Sequence, residues 1–113
     1  MDGYPTYEEI RARRLAALRA EAIAAARAAA EAGARHGVRV VVFGSVATGR
    51  MHERSDLDLA LDGPKEAQRA ADTDVWLAAA DHGFESDVVL MAYASASLLA
   101  TIRRDGRDPA DLV

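Results

Sequence analysis

Residues 57 to 62, LDLALD, alternate without interruption: Leu57, Leu59 and Leu61 fall on one side of an extended chain, and Asp58, Ala60 and Asp62 on the other. Just upstream, VRVVVF at 38 to 43 is a β-branched run bounded by Gly37 and Gly44, which predicts a strand. Residues 6 to 32 carry a longer period. Tyr7, Ile10, Leu18, Ala22, Ala25 and Ala29 recur at helical spacing, Thr6 and Glu9 form a capping box at the start, and Gly33 suits the stop. The alanine-rich second half of this helix has high propensity but little area to bury, so it should lie closely on something flat, a sheet or another helix. Further on, Pro64 fits the first turn of a helix, and DVWLAAADHG is helical up to a stop at Gly83; residues 65 to 73 read equally as its first turns or as a loop. SDVVLMA at 86 to 92 is a third strand, and Ser95 caps a last helix with Leu98, Leu99 and Ile102 that closes at Gly106. Trp76 and Phe84 are assigned to the core, and the tail 107–113 to irregular structure.

The resulting order is helix, strand, short turn, strand, helix, strand, helix. It implies an α/β (α+β) fold: a small mixed sheet of three or more strands packed by about four helices. A chain of 113 residues fits one domain, 1–113, with an N-terminal helix at 6–33, a strand-turn-strand unit at 38–62 and a helix-strand-helix unit at 64–106.

Composition narrows the function. The chain has no cysteine, which excludes disulfides and thiolate metal sites. No apolar run approaches the ~20 residues a bilayer requires, and the first residues lack a signal-peptide pattern, so a soluble, cytoplasmic protein is expected and membrane partners are not. Fourteen basic residues stand against 18 acidic ones, a net charge of −4, which disfavours bulk nucleic-acid binding.

The candidate chemistry gathers at FGSVATGRMHERSDLDLAL, residues 43 to 61. Gly44 and Ser45 follow a strand end directly, where a glycine admits close approach of a ligand and successive free amides, with the serine hydroxyl, form an anion-binding concavity. Asp56 and Asp58 are two residues apart at the start of a strand, so both carboxylates face one side, Cα atoms roughly 6.5 to 7 Å apart. Like charges on one face repel, and the pair makes sense around a divalent cation such as magnesium, which takes one or two carboxylates while phosphate oxygens and water fill the rest. A third carboxylate, needed if two metals are to sit about 3.5 to 4 Å apart, is supplied by Asp87 or, two residues earlier, by Glu85. Asp62 is read as a strand-end charge. His36, His52 and His82 show no metal-ligand spacing and are assigned solvated or capping roles. The basic run RARRLAALR on the first helix is read as a solvated face.

Gly-Ser, three residues, Gly, five residues, Ser-Asp-x-Asp-Leu, then an aspartate in a hydrophobic setting some thirty positions later: this order resembles the nucleotidyltransferase superfamily that includes DNA polymerase β, and most closely its minimal, MNT-type members. The resemblance is specific over 43 to 61 and looser at ESDVVLM. It implies transfer of a nucleoside monophosphate, AMP from ATP above all, to an acceptor hydroxyl. It assigns Gly44, Ser45 and Ser55 to the nucleotide, and Asp56, Asp58 and Asp87 to two magnesium ions and to catalysis, with Asp87 placed to help deprotonate the acceptor. Small members resemble the antitoxin half of two-gene modules whose partner is a HEPN toxin, modified on a tyrosine hydroxyl. One position departs from the pattern: where many minimal members have arginine, this chain has Thr48, leaving Arg50 or Arg54 to supply the charge.

Overall fold

The computed structural model describes residues 3–113. Met1 and Asp2 of the expected 1–113 domain lie outside the described residues. Helix α1, Tyr7–Ala34, starts on the expected capping box: Thr6 Oγ1 accepts from the Glu9 amide at 3.1 Å and Glu9 Oε2 accepts from the Thr6 amide at 3.4 Å. Gly33 does not stop the helix. It lies buried within it, where a Cβ would come 2.6 Å from Val40 Cγ2 and 3.1 Å from the Val38 carbonyl. Its value is therefore the close approach of α1 to the sheet, and the turn falls later, at Gly37 with φ +74°.

Strand β1, Arg39–Phe43, runs into a five-residue helix α2, Gly44–Thr48, where the sequence pattern suggests only a turn. Five residues are too few to display a helical period. Strand β2, Leu57–Asp62, returns antiparallel to β1, and α3, Lys65–Asp81, is one continuous helix that takes in the ambiguous segment 65 to 73. It carries the chain over to β3, Ser86–Leu90, parallel to β2. The sheet order is β1-β2-β3, with β2 central. After a 3₁₀ turn at Met91–Tyr93, which ends the strand earlier than the apolar run suggests, Ser95 Oγ accepts from the Leu98 amide and opens α4, Ala96–Asp105.

Strand alternation builds two unequal layers. Val40, Val42, Leu57, Leu59 and Leu61 face α1 and α3, and pack on Ala22, Ala25, Ala26 and Ala29 and on Ala71, Val75 and Ala79. The small alanine side chains let the helices sit close to the sheet and each other, as the composition of α1 implies. On the opposite face a smaller cluster forms from Val41, Phe43 and Ala60 under Ile102 of α4. Asp58 and Asp87 belong to this thinly covered face by strand parity.

Three further features differ from what the sequence pattern suggests. Tyr7 is 77% exposed and Ile10 37%, because α1, about 42 Å long at 1.5 Å per residue, runs beyond the sheet in a domain only 28 × 21 Å across its short axes. Phe84 is buried as expected, but Trp76 is 43% exposed, one position off the buried stripe of Gln68, Ala71, Val75 and Ala79. Nor is the tail irregular. Arg107 bridges to Val42 on the outer edge of β1, Pro109–Asp111 forms a 3₁₀ turn, and Arg27 of α1 donates to the carbonyls of Pro109 (3.3 Å) and Leu112 (2.8 Å). The edge of β1 is thereby covered.

Candidate active site

The site lies where β1 ends and β2 begins. Gly44, at φ +70°, occupies the left-handed region, and a Cβ there would collide with the Asp58 carboxylate. Two independent requirements, backbone conformation and contact with Asp58, therefore select glycine. The contact brings the phosphate-binding candidate Gly44 against the metal-binding candidate Asp58. From Gly44 the chain turns directly into α2, fixed on α1 by Arg19, whose Nη1 donates to the Val46 carbonyl at 3.1 Å. Ser45 is half-buried in the first turn of α2.

Asp58 is half-buried, and its Cα pairs across to Asp87 on β3 and to Phe43 on β1. Burial, with the Asp87 carboxylate next and the Asp56 carboxylate after it, raises the Asp58 carboxyl above the ordinary carboxylate range. Asp56 precedes β2 by one residue and is exposed, as is Asp87. The third carboxylate beside Asp58 is thus Asp87. Glu85 precedes β3 and lines, with Phe84, a cleft that reaches Asp56 rather than Asp58, while its carbonyl accepts from the Leu57 amide at 3.3 Å. Asp62 is exposed at the far end of β2, opposite Arg39, in keeping with a strand-end charge.

Ser55 is engaged within its loop. Its Oγ accepts from the His52 amide at 2.9 Å, and its own amide donates to the His52 carbonyl, so the hydroxyl proton and one oxygen lone pair are left for a ligand. His52 Nδ1 accepts from the Arg54 amide, His82 caps α3, and His36 Nε2 meets Asp74 at 2.6 Å, tying the end of α1 to α3. Thr48 turns its hydroxyl back onto the Gly44 carbonyl at 3.1 Å. Arg50 lies close enough to Asp105 that, after the hydrogen bonds from Arg104, it joins Arg107 in lowering the Asp105 carboxyl, whereas Arg54 lines the cleft beside Asp56.

Among the described residues, no three His, Cys, Asp or Glu side chains converge tightly enough to enclose a metal ion by themselves. Asp58 and Asp87, repelling each other at the mouth of a glycine turn, do fit magnesium in its usual form, in which one or two carboxylates hold the ion and phosphate oxygens complete the shell. Asp58 and Asp87, with Asp56 beside them, are the residues that would hold it.

Comparison with known proteins bears on the family and the fold. Residues 25–106 match the model of the nucleotidyltransferase domain family, and the chain belongs to that family. A solved structure of a candidate minimal nucleotidyltransferase is 29% identical over 94% of this chain and 98% of its own, with a TM-score of 0.62. A toxin–antitoxin crystallised with AMP-PNP matches 62% of this chain and 57% of its own at 24% identity and a TM-score of 0.47, a likeness too loose to carry an argument. No curated protein matches the chain in sequence. No helix among the described residues is long and apolar enough to cross a membrane.

Proposed function

We propose that the domain is a magnesium-dependent nucleotidyltransferase that moves a nucleoside monophosphate, AMP from ATP, onto the hydroxyl of a partner protein. The observation that carries this reading is the packing of the Asp58 carboxylate against Gly44 with Asp87 in register beside it. Phosphate-binding turn and acidic pair are thereby neighbours, as one nucleotide bridging both requires. The free amides at the start of α2 and the Ser45 hydroxyl hold the β- and γ-phosphates. Magnesium, when bound, supplies charge neutralisation on the phosphate oxygens. Asp87, exposed on the outer strand, takes the acceptor's proton. The acceptor oxygen forms a bond to the α-phosphorus, the bond from that phosphorus to the bridging oxygen breaks, and pyrophosphate leaves. Positioning and charge neutralisation dominate such a reaction, and fixed backbone amides and paired carboxylates provide both.

The partner is proposed from the resemblance of residues 43 to 61 to minimal members: a HEPN toxin, modified on a tyrosine, with this domain as its antitoxin. The exposed position of Asp87 supports an acceptor brought by another molecule. Incubation with labelled ATP, magnesium and a candidate partner tests this. Label should transfer with the unaltered protein and vanish with Asp56→Asn and Asp58→Asn.

A second reading rests on Thr48, whose hydroxyl is spent on its own helix where family members place a cation. In that reading the domain neutralises a partner by contact alone, and neutralisation survives both aspartate substitutions.

A further inference from the structure

Trp76 is the single tryptophan of the chain, and it stands exposed on α3. Ala80, four positions on along α3, and Gly83, just past the end of that helix, line with it a shallow pocket of about 290 Å³ that Phe84 and Glu85 close. Gly83, Phe84 and Glu85 also wall a second cleft of about 320 Å³, which extends between α1 and the loop before β2 as far as Asp56. The two hollows share Gly83, Phe84 and Glu85 as a common wall, so an extended segment that crosses this wall would run from Trp76 to Asp56, the carboxylate beside Asp58.

The groove has a definite chemistry. Leu18 and Phe84 give it apolar surface, and four carboxylates line it, those of Glu21, Glu53, Asp56 and Glu85, against one arginine, Arg54, and His82. Glu53 also meets Arg11 at 3.7 Å, but both side chains are more than half exposed, so that contact binds Glu53 weakly. A wall of this sign repels a polyphosphate or a nucleic-acid backbone, which separates the groove from the phosphate-binding end of the site at Gly44 and Ser45. An exposed indole beside acidic walls suits arginine and lysine side chains, through the ring face and through their charge.

The geometry points to this groove as the docking surface for the acceptor: a cationic polypeptide segment, laid from Trp76 toward Asp56, that brings a side-chain hydroxyl to the aspartates. The inference rests on the proposed nucleotidyl transfer for its purpose, but docking itself needs neither nucleotide nor metal.

Trp76 supplies its own probe. In the absence of magnesium and ATP, tryptophan emission is followed while a short peptide with one tyrosine among arginines and leucines is added, and again with glutamates replacing the arginines. The arginine peptide should change the emission, less so at high salt, and the glutamate peptide should not. The double variant Glu21→Gln, Glu53→Gln, outside the aspartate cluster, should weaken binding by about three- to tenfold. Equal responses to both peptides, no response, or unchanged affinity in the double variant would overturn the assignment. So would an emission change with protein concentration alone accompanied by a dimer in sedimentation, which would make the groove a contact between copies. Label transfer to the arginine peptide separates the two readings. Salt-sensitive binding without transfer upholds the groove and removes the transferase; transfer whose KM is unmoved in the double variant and in Trp76→Ser upholds the transferase and removes the groove.

Discussion

Replacing Asp58 by asparagine tests the physical core of the site without requiring a partner or an acceptor. Asp58 and Asp87 are directly paired across β2 and β3, which sets their Cα atoms about 4.8 Å apart, and Asp56 lies two residues away. Two unit charges at roughly 5 Å repel by about 0.8 kcal/mol in water and about 3 kcal/mol at an effective dielectric of 20. Asp56 and Asp87 are exposed, so solvent screening favours the lower end, roughly 1 kcal/mol. Burial first, and then this repulsion, raise the Asp58 carboxyl from its ordinary value of 3.8. A carboxyl raised in the folded state favours folding in its neutral form. The destabilisation is absent below the ordinary value and grows as pH climbs through the raised one. Asp58→Asn should therefore increase the melting temperature of the metal-free protein at neutral pH by about 4 °C, and the gain should disappear near pH 3. Magnesium should stabilise the unaltered protein at neutral pH and leave the variant unchanged. Calorimetric melts at several pH values, with chelator and with magnesium, measure all of this. A variant less stable than the parent at neutral pH, with magnesium inert on both, would mean that Asp58 is a structural acceptor and that no cation belongs beside it.

Gly44→Ala should cost roughly 1–3 kcal/mol of stability from the left-handed backbone alone, and by displacing the Asp58 carboxylate should abolish the magnesium-induced rise in melting temperature. Thr48→Arg, at an exposed position at the end of α2, should lower the KM for ATP about tenfold or more, since a charged phosphate contact is worth roughly 1.5–3 kcal/mol; steady-state kinetics or nucleotide titration checks it. Leu59→Ala, in a fully buried position on the helix-facing side of β2, should destabilise by about 3 kcal/mol in chemical denaturation. Arg27→Ala removes the two hydrogen bonds from α1 to the tail and should cost roughly 1–2 kcal/mol, with faster proteolysis after Gly106 as a second readout.

Much of the architecture was legible because local signals and tertiary demands coincide. The alternation of 57 to 62 defines a strand with one face for the helices and one for the aspartates, whatever pairs with it. The Thr6–Glu9 box and the Ser95 cap are settled within four residues of chain, so they form where the sequence places them. The nearness of Gly44 and Asp58 has a related origin: both come from one short strand-turn-strand segment, and its antiparallel pairing sets Phe43 across from Asp58.

Other features depend on what lies next to them. Asp87 rather than Glu85 neighbours Asp58 because β3 pairs with β2 in parallel at one particular register, and no local pattern in either strand carries that register. Trp76 is apolar and sits in a helix, yet the stripe that α3 buries is chosen by where α1 and the sheet press on it. Gly33 resembles a helix stop in sequence and serves instead as a point of close approach between α1 and β1. Hydrophobic period and capping chemistry act over a few residues, so the sequence by itself determined the long helices, the three strands, their order and the acidic motif. Strand register, helix packing and the covering of β1 by the tail are long-range choices among geometries of similar local energy, and only the tertiary structure decided which carboxylates meet and which aromatic faces solvent.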